Sequence, residues 1–103
     1  MQVQTAAEAL LQREDGVLLS ADIQSLGSFD RAELSFEWRV YPSFALASYE
    51  EGWQSTEQLP VTGAGRCSIP LTGLQSGTTY QYRAVLQNER NCMKGELTLF
   101  VRE

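Results

Sequence analysis

Residues 71–84 read LTGLQSGTTYQYRA, and this stretch decides the fold class of the chain. It contains the end of one strand, a glycine-bearing corner and the start of a second strand whose first aromatic residue is Tyr80. In antiparallel sandwiches, a tyrosine at such a corner sends its hydroxyl to a backbone group a few residues upstream. We therefore predict a β-sandwich with a structural corner formed by Leu74, Gly77 and Tyr80.

Alternating apolar and polar residues predict the strands on both sides of this corner. The clearest case is residues 34–40, LSFEWRV, and the same period of two recurs at 17–23, 67–71, 80–86 and 97–101. Shorter strands around 3–11 and 53–59 complete an all-β, seven-stranded antiparallel Greek-key sandwich. The pattern also directs Val40, Leu99 and Val101 inward. The predicted core is Leu19, Ala21, Ile23, Leu34, Phe36, Trp38, Ile69, Tyr80, Tyr82, Ala84 and Leu97.

The N-terminal segment allows two interpretations. Residues 6–14, AAEALLQRE, are good helix formers and fit a single amphipathic helix. We favour a strand because the sandwich needs an edge there.

Composition limits the classes of function. The 103 residues form one domain, 1–103, and a net charge of −5 argues against nucleic acid as a partner. No apolar run approaches the roughly 20 residues of a membrane-spanning helix, so no membrane insertion is expected. The N-terminus lacks the features of a signal peptide. Two origins stay open, a protein that remains inside the cell and a module of a longer exported chain.

Catalysis and metal binding find no support in the residue types. The chain has no histidine, which is the commonest general base and metal ligand. Adjacent carboxylates such as Glu14 and Asp15 are typical of solvated turns, and no spaced Asp/Asn series predicts a calcium loop. We expect no enzyme activity, no metal and no cofactor.

Trp38, directed inward on the third predicted strand, and the corner at 74–84 together resemble a fibronectin type III domain. The order of TAA at 5–7, LGS at 26–28, FEW at 36–38 and Gly95 is similar to type III-like repeats of bacterial and archaeal surface proteins. Family members usually carry proline where Ser76 stands. An immunoglobulin domain, the nearest competitor, would place cysteines on the second and sixth strands, where this chain has none.

The resemblance implies a spacer or protein-interaction module of a larger cell-surface or secreted protein. It implies neighbouring domains or another protein as partners, and an extracellular or cell-surface setting. We expect a monomer.

The two cysteines, Cys67 and Cys92, are predicted on opposite sheets at one pole of the sandwich. A disulfide needs Cα atoms within roughly 7 Å, whereas opposing sheets pack about 10 Å apart. This favours free thiols, but a bridge stays open.

The apolar connector at 42–53 is the first candidate binding segment. Phe44, Tyr49 and Trp53 could anchor a protein partner or stack on a polysaccharide, which gives a carbohydrate-binding module as the alternative function. The competing interpretation is that Phe44 and Leu46 fold back to cap the core.

Charge distribution suggests a second candidate, with Arg90 and Lys94 as binding residues. The predicted loops place Arg31, Arg66, Arg90 and Lys94 at one pole against Asp30 and Glu89. The opposite pole collects Glu14, Asp15, Glu50, Glu51 and Glu103, with Arg13 and Arg102. Such a lengthwise asymmetry would favour head-to-tail contact with a neighbouring domain, although charged loops are common in any case.

Overall fold

Antiparallel pairing joins ten strands into two sheets in the part of the chain that the structure, a computed structural model, describes: residues 1–41 and 52–103. A 3₁₀ helix at Ala7–Ala9 is the only helix in these residues. The strands are β1 (Gln2–Thr5), β2 (Leu11–Arg13), β3 (Gly16–Ser25), β4 (Ala32–Val40), β5 (Gln54–Ser55), β6 (Leu59–Val61), β7 (Gly65–Thr72), β8 (Thr79–Gln87), β9 (Cys92–Lys94) and β10 (Thr98–Val101).

The two sheets are unequal in size. In the four-stranded sheet, β3 pairs with β1 and β2 along one side and with β7 along the other. In the six-stranded sheet, β4 pairs with β8 at the centre; β5 and β6 follow β4, and β9 and β10 follow β8. The predicted all-β fold of two packed antiparallel sheets is confirmed.

The structure has ten strands and not the predicted seven because two predicted strands are each divided and one strand is additional. The N-terminal segment is neither one strand nor one helix: the 3₁₀ turn separates β1 from β2, and both run along β3. At the break, the Ala6 N–H still donates to the Ser20 carbonyl at 2.9 Å, so the edge stays attached. The predicted strand at 53–59 is likewise two short strands, and β9 is an additional one.

Most of the predicted core residues are buried between the sheets. Trp38 is half-buried and packs against the core, whereas Val40 and Leu97 are exposed and the prediction for them was wrong. Val40 is the last residue of β4. The ring of Tyr80, the residue opposite Val40 in register, packs against the rings of Trp38 and Phe100.

The last strand faces the core through Phe100, and not through Leu97, Leu99 and Val101 as the alternation suggested. The Phe100 ring lies 5.6 Å from Tyr80 and 5.7 Å from Tyr82, measured between ring centroids. Because side chains alternate across a strand, burying Phe100 turns the odd-numbered positions outward. One large ring between two tyrosines outweighs three aliphatic side chains at the rim.

The corner contains the predicted hydrogen bond, in which the Tyr80 hydroxyl accepts from the Gln75 backbone N–H at 2.8 Å. Gly77 has a φ of 79°, in the left-handed region that favours glycine. Its N–H donates to the Arg102 carbonyl at 2.7 Å, and Leu74 packs against the core. The corner therefore also holds the end of the chain.

Thr5 joins the two sheets along one open side, next to Gly95. The Thr5 hydroxyl accepts from the Ala84 N–H at 3.1 Å, and the Gly95 N–H donates to the Ala84 carbonyl at 2.8 Å. A Cβ atom at position 95 would lie 2.6 Å from Thr5 Oγ1, so only glycine allows this approach.

Gln12 and Arg102 close the same side further along. The Gln12 amide donates to the Val101 carbonyl at 2.7 Å and accepts from the Glu103 N–H at 2.8 Å. The buried Arg102 guanidinium donates to the carbonyl of Arg13 at 2.6 Å and to that of Glu14 at 3.2 Å. These contacts attach β10 to the β2–β3 hairpin.

Tyr80 and Tyr82 offer a matched pair of substitutions. Tyr80→Phe removes the corner hydrogen bond and should lower the free energy of unfolding by about 1 kcal/mol. The buried Tyr82 hydroxyl has no hydrogen-bond partner within the described residues, so Tyr82→Phe should leave stability unchanged or raise it by about 1 kcal/mol. Urea unfolding measures both; an equal loss for the two variants would contradict the roles assigned to the hydroxyls.

Alkaline stability should depend on Tyr82. Burial raises the pKa of Tyr82 from its ordinary value near 10 to about 12, because the phenolate is poorly solvated there. Between pH 10 and pH 12 the Tyr82 hydroxyl stays protonated in the folded state but ionises in the unfolded state. The free energy of unfolding therefore keeps its full value below pH 10 and falls towards pH 12. The loss at pH 11.5 is about 2 kcal/mol and should be absent in Tyr82→Phe. Urea unfolding at each pH measures this loss. If Tyr82→Phe loses as much stability at alkaline pH as the unmodified protein, Tyr82 is excluded as the cause.

Candidate functional site

The outer face of the six-stranded sheet, the face turned away from the core, carries charged side chains that are largely removed from water. Register places Glu37 of β4 opposite Arg83 of β8, and Arg39 opposite Gln81. Arg39 is only 7% exposed, and Gln81 is buried as well. Alternation correctly directs these side chains away from the core, but it does not predict that they are covered.

The charged groups of this face contact one another directly. The Arg83 Nε donates to Glu37 Oε1 at 2.8 Å, and the Lys94 ammonium lies 3.2 Å from the same oxygen. Beside them, the Arg39 Nε donates to Gln81 Oε1 at 3.0 Å. The Glu37 carboxylate therefore contacts two cations, and the buried Arg39 lies beside them, bonded to Gln81.

Trp53 covers this cluster. Its ring centroid lies 4.4 Å from the Arg39 guanidinium carbon and 4.6 Å from that of Arg83, which are cation–π distances. The ring replaces part of the water that the two guanidinium groups would otherwise contact. Trp53, predicted as an anchor for a partner, thus packs against its own sheet and is half-buried.

The other two aromatic candidates, Phe44 and Tyr49, lie outside the described residues, as does Leu46 of the capping interpretation. Tyr41, the last described residue before this segment, is exposed. Its N–H donates to the Thr79 carbonyl at 2.9 Å, which continues the pairing between β4 and β8.

Arg90 and Lys94, the basic candidates, are separated by their contacts. Lys94 belongs to the cluster around Glu37, whereas Arg90 lines a shallow cavity of 540 Å³ between two loops at one pole. In that cavity the carboxylates outnumber the guanidinium groups three to two. It is lined by Phe29, Asp30, Arg31, Glu33, Asn88, Glu89 and Arg90.

Arg66, the fourth basic residue assigned to this pole, is also paired. Its Nε donates to Asp22 at 2.7 Å and one Nη to Glu8 at 2.7 Å. The hydrogen bond from Arg66 lowers the pKa of the Asp22 carboxyl. Arg66 and Lys94 are therefore each paired with carboxylates, and Arg31 and Arg90 share a cavity with three acidic residues. The lengthwise charge asymmetry stays a prediction.

The thiols, the acidic residues and the likeness to known proteins concern the remaining chemistry of the chain. Cys67 and Cys92 are free, and no group of three or more Cys, Asp or Glu residues in the described ranges could hold a metal ion. None of the described residues belongs to a helix long and apolar enough to cross a membrane. No protein-family model and no curated protein matches the chain.

Sequence reasoning missed the surface that the last strand presents. Leu97, Leu99 and Val101 form an exposed row beside the outer face. They neighbour Gln81 and Thr79 of β8, and Gln12 lies at the end of the row. The signal that could have revealed them is Phe100, the only aromatic residue of the segment, since the larger ring is the better core residue.

The pair of Glu37 and Arg83 should be the energetic centre of the covered cluster. Glu37→Gln leaves the Arg83 guanidinium, whose side chain is 11% exposed, without its carboxylate. It should lower the free energy of unfolding by about 2 kcal/mol. Lys94→Gln is the matched control, because it removes a more exposed partner of the same oxygen and should cost less than about 1 kcal/mol. Chemical denaturation compares them, and equal losses would show that Glu37 acts through Lys94 instead.

Proposed function

We propose that this chain is a non-catalytic, fibronectin type III-like sandwich with Greek-key topology. It acts as a spacer or protein-interaction module within a larger cell-surface or secreted protein. The division of strands supports this assignment, with β1, β2, β3 and β7 in one sheet and the remaining six in the other. The inward Trp38 and the hydrogen-bonded corner at Tyr80 support it as well.

The observation that carries the spacer function is the position of the two chain ends. Gln2 pairs with Ser25, and Met1 Sδ accepts from the Asn88 side chain, so the first residues lie at the pole of the 26–31 and 88–91 loops. Glu103 lies at the other pole, beside Gln12 and Ser76. A chain that enters at one pole and leaves at the other suits a linear array of domains.

Hydrogen bonds fix the backbone at the C-terminal end of the domain. Arg102 donates through its guanidinium to the β2–β3 turn and through its N–H to the Thr78 carbonyl at 3.0 Å. Its own carbonyl accepts from Gly77. Two separate segments, the β2–β3 turn and the corner at Gly77 and Thr78, therefore fix the residue before Glu103. This favours a defined angle between this domain and a following one.

The carbohydrate-binding alternative receives no support from Trp53. Its ring contacts the guanidinium groups of Arg39 and Arg83 on its own sheet, so part of the ring surface is already in use. The spacer or protein-interaction module is therefore the function that we propose.

A two-copy fusion tests the spacer function. With Glu103 joined directly to Met1 of the second copy, small-angle X-ray scattering at low protein concentration should give a rod whose maximum dimension is roughly double that of one copy. The control carries a glycine–serine linker of about ten residues at the junction, which allows many orientations and should broaden the distance distribution. A direct fusion that folds into a side-by-side pair, with little increase in maximum dimension, would overturn the proposal.

A further inference from the structure

Strand β10 forms an edge of the six-stranded sheet, and its outward side chains are apolar. In the described sheet it pairs with β8 and has no strand on its other side. Leu99, at the middle of the exposed row, is 49% exposed, and Leu97 and Val101 flank it on the same face. Edge strands with exposed apolar rows are sites where another strand can add.

The backbone of β10 has a defined outward side. The Arg102 N–H donates to Thr78 at 3.0 Å and its carbonyl accepts from Gly77, so the even-numbered positions point towards β8 and the corner. In an antiparallel strand, both backbone groups of alternate residues point to the same side. The N–H and carbonyl of Leu99, and those of its odd-numbered neighbours, therefore point away from the sheet.

Gln12 limits how much of this outward side is accessible. Its amide contacts the Val101 carbonyl and the Glu103 N–H, as a short piece of neighbouring strand would. The groups left for pairing are both groups of Leu97, both groups of Leu99 and the Val101 N–H. Leu99 is the middle residue of this set.

We propose that two copies of this chain associate through antiparallel pairing of β10 about a two-fold axis at Leu99. Each Leu99 N–H donates to the partner's Leu99 carbonyl, and each Val101 N–H donates to the partner's Leu97 carbonyl. These four hydrogen bonds leave only the Leu97 N–H of each copy without a partner, because the Val101 carbonyl opposite it is held by Gln12. On the outward face, Leu99 packs beside the partner's Leu99, and Leu97 beside the partner's Val101.

A second copy fits this edge better than an arbitrary strand because the contacts fix one register. A shift of two residues in one direction brings Leu97 opposite the partner's Glu103, a charged residue whose N–H Gln12 already holds. The shift in the other direction brings Val101 opposite the partner's Gly95, whose N–H is bonded to Ala84. Only the register centred on Leu99 pairs apolar with apolar along the whole row.

The expected dimer is weak, and its response to salt distinguishes it from a head-to-tail contact. A single pair of short strands buries less area than the roughly 1,200 Å² of stable interfaces, so association should require high protein concentration. Each copy carries a net charge of −5, and added salt screens the repulsion between the copies. The dimer should therefore strengthen with salt, whereas head-to-tail attraction between opposite charges would weaken.

Sedimentation velocity over a concentration series tests the proposal. The sedimentation coefficient of the unmodified protein should rise with concentration, and Leu99→Lys should remain at the monomer value. Leu11→Lys is the matched control, because Leu11 is 52% exposed on β2 of the other sheet and its replacement should leave the dimer intact. Circular dichroism verifies that both variants are folded.

The register has its own test in a background where both native cysteines are serine. Leu99→Cys should form an intermolecular disulfide under mild oxidation, because residues facing each other in a hydrogen-bonded pair have Cα atoms about 5.5 Å apart. Leu11→Cys should not. A monomer at every concentration, or a dimer that survives Leu99→Lys, would overturn the proposal; the former result would leave the edge to a strand of a different protein. Neither result bears on the spacer function, which does not require β10 to pair.

Discussion

The burial of Phe100 between Tyr80 and Tyr82 is the constraint on which the rest of the structure depends. It sets the phase of β10, and a strand has only two phases. With Phe100 inward, Arg102 also points inward, and Leu99 points outward. The attachment of the chain end and the apolar edge of the sheet are therefore two consequences of one aromatic contact.

Arg102 shows how a buried cation is tolerated without a carboxylate among the described contacts of its guanidinium. The group donates to the carbonyls of Arg13 and Glu14 and to the Gln12 side chain at 3.2 Å. Carbonyl oxygens at a turn are good acceptors, and charged hydrogen bonds are about twice as strong as neutral ones. The contacts offset desolvation and, because they involve backbone, they position the strand as well as the charge. The outer face achieves the same end differently, by laying Trp53 over Arg39 and Arg83.

The central strands could be predicted from sequence because only one of their two faces is apolar. In β4, Phe36 and its neighbours alternate with Glu37 and Arg39, so a shift by one residue would bury charge. Residues 96–103, ELTLFVRE, have apolar residues in both phases, and the choice between them depends on the partners of Phe100 in β8. Periodicity within one strand contains no information about those partners.

The candidate site was predictable only in part, for a similar reason. Alternation places Arg39 and Arg83 outside the core, and a charged residue there is ordinarily solvated. Trp53 covers them because β5 pairs with β4, and this pairing involves only two residues of each strand. The N-terminal turn at Ala7–Ala9 was missed because good helix formers and an edge strand were both consistent with its composition.

The contacts of Thr5, Gln12 and Arg102 also determine when the domain can be completed. They join residues 79 to 91 positions apart, so the first and last parts of the chain meet directly. Contacts this distant in sequence form slowly, because a long loop must close before they stabilise anything. During synthesis, β1 and β2 can pair with β3 early, but the open side waits until residues 84–103 have left the ribosome. Until then the open side of the sandwich is uncovered in the nascent chain. Chaperones, or premature strand exchange with another chain, would act during this interval.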